Sequence, residues 1–121
     1  MENKSVDVLG VKYTIKKVCD GQDEYMTKMN FGGYCDSDNK EIVVLDLMSV
    51  PEWKTEGAKR IELREKETLR HELIHAFLEE SGLQWSAFAY EKSWAKNEEM
   101  VDWFAIQGEK IYKAWKEAEA L

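Results

Sequence analysis

Two histidines and the glutamate between them are the residues of this 121-residue chain whose types and spacing could do chemistry. They lie in Thr68-Leu69-Arg70-His71-Glu72-Leu73-Ile74-His75-Ala76-Phe77-Leu78, and His71 and His75 are the chain's only histidines. A helix brings residues four apart onto one face, so both imidazoles can offer nitrogens to a single metal ion. Glu72 lies about 100° further round, able to reach a water at that metal without filling a coordination position. Two nitrogen ligands, a carboxylate base and one position open for water are what metal-assisted hydrolysis requires. Leu69, Leu73, Ile74, Ala76, Phe77 and Leu78 make the stretch apolar almost all round, which predicts a central, buried helix. Two imidazoles and a carboxylate are costly in such a helix unless something satisfies them, and a metal does so.

A catalytic zinc normally has three protein ligands. No histidine remains, and Leu78 and Ser81 occupy the positions where the metzincin motif carries Gly and His. The third ligand is therefore a carboxylate or a cysteine. Glu98, in Asn97-Glu98-Glu99-Met100-Val101-Asp102, is the best candidate. It follows His75 by 23 residues, enough for a helix end, a loop and a returning helix. On that helix Glu98 shares a face with Val101, Asp102 and Ala105, whereas its rival Glu99 points away from the Val101 side. Asp102, one turn further on, is placed to accept a hydrogen bond from the free ring nitrogen of a ligand histidine. A pair of glutamates also suits a helix N-terminus electrostatically, and the upstream motif is what favours the ligand reading.

These side chains need elements to position them. Val11, Tyr13 and Ile15 alternate with Lys12, Thr14 and Lys16, predicting strands over Val6–Val8 and Val11–Val18 with a bend at Gly10. Cys19 to Asn30 is polar, with a helical turn around Glu24–Lys28. A hairpin follows from Gly32: Tyr34-Cys35-Asp36, the turn Ser37-Asp38-Asn39-Lys40, and a strand over Glu41–Leu47. The turn lacks the glycine and distal glutamate of a calcium loop and reads as a solvated turn. Pro51 ends extended structure, and Trp53 to Arg60 carries no clear pattern. The first long helix is expected to begin between Ile61 and Lys66 and to end at Ser81-Gly82. After the aromatic-rich stretch 83–92, a last helix runs from Trp94 or Asn97 to near Ala120. Its stripe of Val101, Phe104, Gly108, Ile111, Trp115 and Ala118 predicts a face packed on a core, with Gly108 allowing close approach of another helix. The expected fold class is α+β: a single domain over 1–121, with an N-terminal antiparallel sheet of about three strands packed on the histidine-bearing helix and a C-terminal ligand-bearing helix.

Bulk properties narrow the function. The formal charge of −7 argues against a nucleic-acid footprint, although Lys59-Arg60 with Arg64 makes a small basic patch. No apolar run approaches bilayer length, and the polar start Met1-Glu2-Asn3-Lys4-Ser5 leads into no signal-type segment, so a soluble, cytoplasmic protein with no membrane partner is expected. Two cysteines make no disulfide framework; Cys19 and Cys35 read as small apolar residues in a reducing compartment, the alternative being a zinc-binding role for Cys35 beside Gly32-Gly33-Tyr34.

The pattern His71-Glu72-x-x-His75 followed by Asn97-Glu98-x-x-x-Asp102 resembles that of the gluzincins, the thermolysin-like zinc peptidases. The run Glu98-x-x-Val101-Asp102-x-Phe104-Ala105 is similar to the third-ligand helix of ImmA/IrrE-type metallopeptidases. Chain length, the hairpin and the stretch from Leu69 to Leu83 look most like short phage- and prophage-encoded zincin-like proteins and minimal gluzincins, over about residues 32 to 110. The resemblance implies a small zincin-like domain with one Zn2+ ion on His71, His75 and Glu98. It implies a zinc-dependent endopeptidase, with a protein or peptide as substrate and Glu72 as general base. A phage repressor is the kind of substrate it suggests, in the host cytoplasm, and minimal members can be latent, with their own chain end over the cleft. Tyr90, Tyr112, Tyr34 and Arg70 are the candidate oxyanion donors. The strand Glu41–Leu47, if at the sheet edge, could align substrate as an added strand. Trp85, Phe88 and Trp94 either wall an apolar subsite or pack under a loop. Two readings compete: a non-catalytic, zinc-stabilised regulator that kept the fold, and a protease acting on DNA-bound protein, which the acidic charge disfavours.

Overall fold

Strand patterning in the first 45 residues builds a sheet, against which a long helix then packs. The computed structural model describes residues 3–82, 97–119 and 121. In chain order the elements are β1 (Lys4–Val8), β2 (Val11–Val18), α1 (Glu24–Met29), β3 (Gly33–Asp36), β4 (Glu41–Leu45), a 3-10 turn (Leu47–Ser49), α2 (Pro51–Lys54), α3 (Ala58–Glu80) and α4 (Glu98–Glu117). The architecture is mixed α+β. No helix among the described residues is long and apolar enough to cross a membrane.

The sheet departs from expectation in two ways. It has four strands rather than about three, in the order β1-β2-β4-β3, and it is mixed rather than antiparallel because β2 and β4 run parallel. The first hairpin is local: Leu9 and Gly10 both adopt positive φ (52° and 89°), the conformation a two-residue hairpin turn needs. The second hairpin, β3–β4, then inserts β4 beside β2, so β4 lies inside the sheet. Ile42-Val43-Val44 accordingly is buried on consecutive residues, as suits a strand covered on both faces. The strand also ends two residues early, at Leu45, because Asp46 accepts a hydrogen bond from the Met48 amide and caps the 3-10 turn.

One sheet face makes the main core. Val8, Tyr13, Ile15, Ile42 and Val44 bury against Ala76, with Leu69 and Leu73 of α3 packed on them. Polar bonds fix α3 at both ends. Near its start, the Glu65 carboxylate pairs with Lys17 (2.7 Å) and accepts from the Leu47 amide (2.8 Å). At its end, one Glu80 oxygen accepts from the buried Tyr13 hydroxyl (2.6 Å) and from Lys40 (2.7 Å). These bonds and the core set the position of His71 to His75 relative to the strands. The helix begins three residues before the expected window, at Ala58, where Gly57 turns the chain with φ 95°. Gly82, with φ 82°, follows its end.

The start of α4 is capped by Asn97, whose side-chain oxygen accepts from the Met100 amide (2.8 Å). Contacts of His75 with Glu98, His71 with Asp102, and Arg70 with the Ala105 carbonyl show that α4 runs antiparallel to α3. The expected core stripe holds only at its beginning. Val101 and Ala105 are buried, while Phe104 and Trp115 are about half exposed and Ala118 is exposed. A methyl group added at Gly108 meets nothing within 4 Å, so this glycine is not a site of close helix approach. Gly108→Ala is accordingly expected to stabilise the protein, by up to about 1 kcal/mol, through helix propensity alone. Urea unfolding of the two proteins measures the difference, and destabilisation would mean that Gly108 serves a packing role.

Candidate metal centre

The i, i+4 spacing on α3 does what helix geometry requires: the rings of His71 and His75 stand 4.8 Å apart with Nε2 to Nε2 at 3.2 Å. Glu98, on the first turn of α4, brings its carboxylate to both. One oxygen lies 2.8 Å from His75 Nε2, the other 3.4 Å from His71 Nε2. Asp102, one turn on, lies with Oδ1 2.6 Å from His71 Nδ1. No contact of Glu99 with the rings accompanies these, and its side chain is exposed.

These distances form a consistent set. Ligand atoms about 2.0–2.1 Å from a tetrahedral zinc lie about 3.3 Å from one another. The two histidine nitrogens, 3.2 Å apart, match that value, and the Glu98 carboxylate sets one oxygen 2.8 Å from the His75 nitrogen and the other 3.4 Å from the His71 nitrogen. Carboxylates only accept, so the bond to Asp102 places a proton on His71 Nδ1, and in the neutral ring Nε2 then carries a lone pair. Burial pushes His75 below its ordinary pKa, against the pull of Glu98, which favours the neutral form that ligates metals. His71, Glu72 and His75 thus form a group that could hold a metal ion, with the Glu98 carboxylate beside both rings.

Glu72 is the buried charged side chain among the described residues, 7% exposed. Its Oε2 stands 4.0 Å from His71 Nε2, beside the cluster of His71, Glu72 and His75 ligand atoms, which all lie within 4.8 Å. Burial, opposed by His71, pushes the Glu72 carboxyl up to about 7. Unlike Glu98, it makes no contact of 3.4 Å or less with either ring.

β3 is the edge strand over this site. At Gly33 a Cβ would fall 2.7 Å from the Thr68 methyl, 3.1 Å from the Val43 carbonyl oxygen and 3.6 Å from Glu72 Cγ. The missing side chain thus lets the strand lie directly on the motif helix. Gly33→Ala is expected to cost about 1–3 kcal/mol, because Thr68 is stiff and Val43 O is backbone. Thermal unfolding with and without zinc checks this, and an unchanged midpoint would show that the strand has room to move.

Two hollows flank Glu72 and His71, one of about 670 Å3 bounded by Leu47, Val50, Trp53 and Thr68, the other of about 300 Å3 bounded by Tyr25, Tyr34 and Cys35. Both are also lined by Phe31, Gly33, His71 and Glu72, so they open on the same centre.

Several expected residues fall elsewhere. Tyr112 is half exposed on α4, ten residues and about 15 Å of helix beyond Asp102, and so does not reach the rings. The Tyr34 hydroxyl donates to Asp23 (2.7 Å). Arg70 donates from Nε to the Ala105 carbonyl (2.6 Å) and lies 3.5 Å from Glu109, so it ties α3 to α4. Tyr90, Trp85, Phe88 and Trp94 lie outside the described residues. The strand from Glu41 is interior and cannot receive an added strand; among the described strands β3 is the edge on this side. Cys35 packs with the core cluster, burial pushes its thiol up to about 12, and it is not part of the His71, Glu72 and His75 group of converging ligand atoms. Sequence reasoning missed Tyr25 and Phe31, which carry no local signal. It also passed over Gly33, although the Gly32-Gly33 pair before a strand was a sign of close backbone approach.

No protein-family model, curated protein or solved structure matches this chain.

Proposed function

We propose that this chain is a zinc-dependent endopeptidase of the gluzincin type, built as a small zincin-like domain. The observation that carries the reading is the convergence of His71 Nε2 and His75 Nε2, 3.2 Å apart, with the Glu98 carboxylate within 3.4 Å of both and buried Glu72 beside them. His71, His75 and Glu98 would hold the ion, and Asp102 orients His71. Zinc held there supplies a Lewis acid that activates water and polarises a carbonyl.

Glu72 accepts a proton from the attacking water and delivers it to the leaving amine. Its burial is also what favours an enzyme over a zinc-stabilised regulator. A purely structural site needs no buried carboxylate outside the ligand set, and burying one is costly.

The substrate backbone is aligned by β3. The Leu45 amide donates to the Gly32 carbonyl (2.9 Å), and bonded pairs alternate along an antiparallel ladder. Tyr34 and Asp36 therefore bond to β4, while the amides and carbonyls of Gly33 and Cys35 point to the outer edge, which no other described strand covers. A peptide added there as a strand passes over Glu72.

The test is incubation of the zinc-loaded protein with a reduced, alkylated protein and identification of new N-termini by mass spectrometry. Cleavage that a chelator abolishes and zinc restores is expected. Full zinc occupancy with no new termini would overturn the enzyme reading in favour of the regulator.

A further inference from the structure

The smaller hollow beside the metal centre has a wall that no step of hydrolysis uses. Tyr25 and Phe31 line it while remaining 52% and 39% exposed, and Tyr34 joins them. Their rings form an edge-to-face set: Tyr25 to Tyr34 at 5.0 Å and 78°, Tyr25 to Phe31 at 5.9 Å and 69°. Hydrogen bonds support the segments that carry the set. Asp23 caps α1 through the Met26 amide (3.0 Å), and its other oxygen accepts from the Tyr34 hydroxyl (2.7 Å). After α1, Asn30 turns the chain with φ 55°, and the Phe31 amide donates to the Met26 carbonyl (3.1 Å). Two half-exposed aromatic rings, continuous with the candidate metal centre through Gly33, His71 and Glu72, form a surface with no covering group among the described residues.

We propose that Tyr25, Phe31 and Tyr34 form a substrate side-chain subsite that accepts an aromatic residue of the peptide close to the scissile bond. A ring entering beside Tyr25 continues the edge-to-face arrangement already present among the three. The bonds at Asp23, Tyr34 and the Phe31 amide lower the ordering cost of binding at this wall. A strand hydrogen-bonded to the outer edge of Gly33 and Cys35 passes this wall and can direct a side chain towards it. The inference takes its ligand, a peptide, from the proposed hydrolysis, but its test does not require turnover.

Zinc-loaded Glu72→Gln protein is titrated into fluorescently labelled blocked pentapeptides, glycine throughout except for a central Phe, Ala or Lys, with binding read by anisotropy. The Phe peptide is expected to bind roughly tenfold tighter than the Ala peptide. Tyr25→Ala, added to the same background, should bring the Phe peptide down to the affinity of the Ala peptide and leave the Ala peptide unchanged. Tyr25→Phe should preserve the preference. Equal binding of Phe and Ala peptides, a preference for Lys, no binding of any peptide, or equal weakening of all by Tyr25→Ala would overturn the subsite. Incubation of wild type with the same peptides separates the two readings. An aromatic preference in binding without cleavage keeps the subsite and removes hydrolysis. Cleavage without an aromatic preference does the reverse.

Discussion

Glu72→Gln is expected to lower peptide hydrolysis by about a thousandfold, within the range for loss of a general base, while the protein keeps its full complement of zinc. Glutamine has the shape of glutamate but cannot take a proton from water, so only the base function is removed. Retention of zinc follows from geometry: the Glu98 oxygens approach the histidine nitrogens to 2.8 and 3.4 Å, whereas Glu72 Oε2 stays 4.0 Å from His71. The amide also avoids the cost of a buried carboxylate, so the variant should fold at least as well as wild type. Steady-state kinetics paired with elemental analysis reads both quantities. Loss of zinc would make Glu72 a ligand, and undiminished turnover would place the base elsewhere.

Glu98→Ala is expected to weaken zinc binding by about 100-fold or more, since loss of an outer hydrogen-bonding partner alone costs about 10–100-fold. The effect reaches stability through linkage. At a zinc concentration about 1,000 times the wild-type dissociation constant, binding stabilises wild type by about 4 kcal/mol and a 100-fold weaker variant by about 1.4 kcal/mol. For a domain of this size the gap corresponds to about 10 °C in the zinc-induced rise of the melting temperature. Without metal the two proteins should melt nearly together, because the Glu98 side chain is 62% exposed. Differential scanning calorimetry with and without zinc makes the comparison. An equal zinc-induced rise in both proteins would remove Glu98 from the ligand set and return attention to Glu99.

The site was more legible in the sequence than the fold, for a physical reason. His71 and His75 meet because one helix turn separates them, a relation that holds wherever that helix packs. Glu98 and Asp102 are themselves a turn apart, so a single docking of α4 on α3 brings the first to both rings and the second to His71 Nδ1. The local turn at Leu9-Gly10 and the helical turn at Glu24–Met29 were equally readable, since short-range chemistry determines them. Strand order was not. Pairing Ile15 with Ile42 in parallel requires a crossover of more than twenty residues, and nothing in either strand names the other. The unbroken apolar run Ile42-Val43-Val44-Leu45 was the one clue that this strand is interior and that β3 forms the edge.

The aromatic wall had no such clue. Tyr25 and Phe31 come near Glu72 only because the β3–β4 hairpin lays its edge across α3, a long-range consequence of the sheet order. On α4 the periodicity misled in the opposite direction. Val101, Phe104, Gly108, Ile111 and Trp115 repeat as a core stripe should, yet burial among them is complete only at Val101, beside Leu78 and Ile74. Hydrophobic period reports which residues share a face, not how far the neighbouring element extends along it.

Anomalous diffraction at the zinc edge from crystals of the zinc-loaded protein tests the central claim most directly. One peak about 2.0–2.2 Å from His71 Nε2, His75 Nε2 and a Glu98 oxygen is expected, with Glu72 outside bonding distance. A peak that leaves out Glu98, or zinc held only at surface carboxylates, would contradict the account.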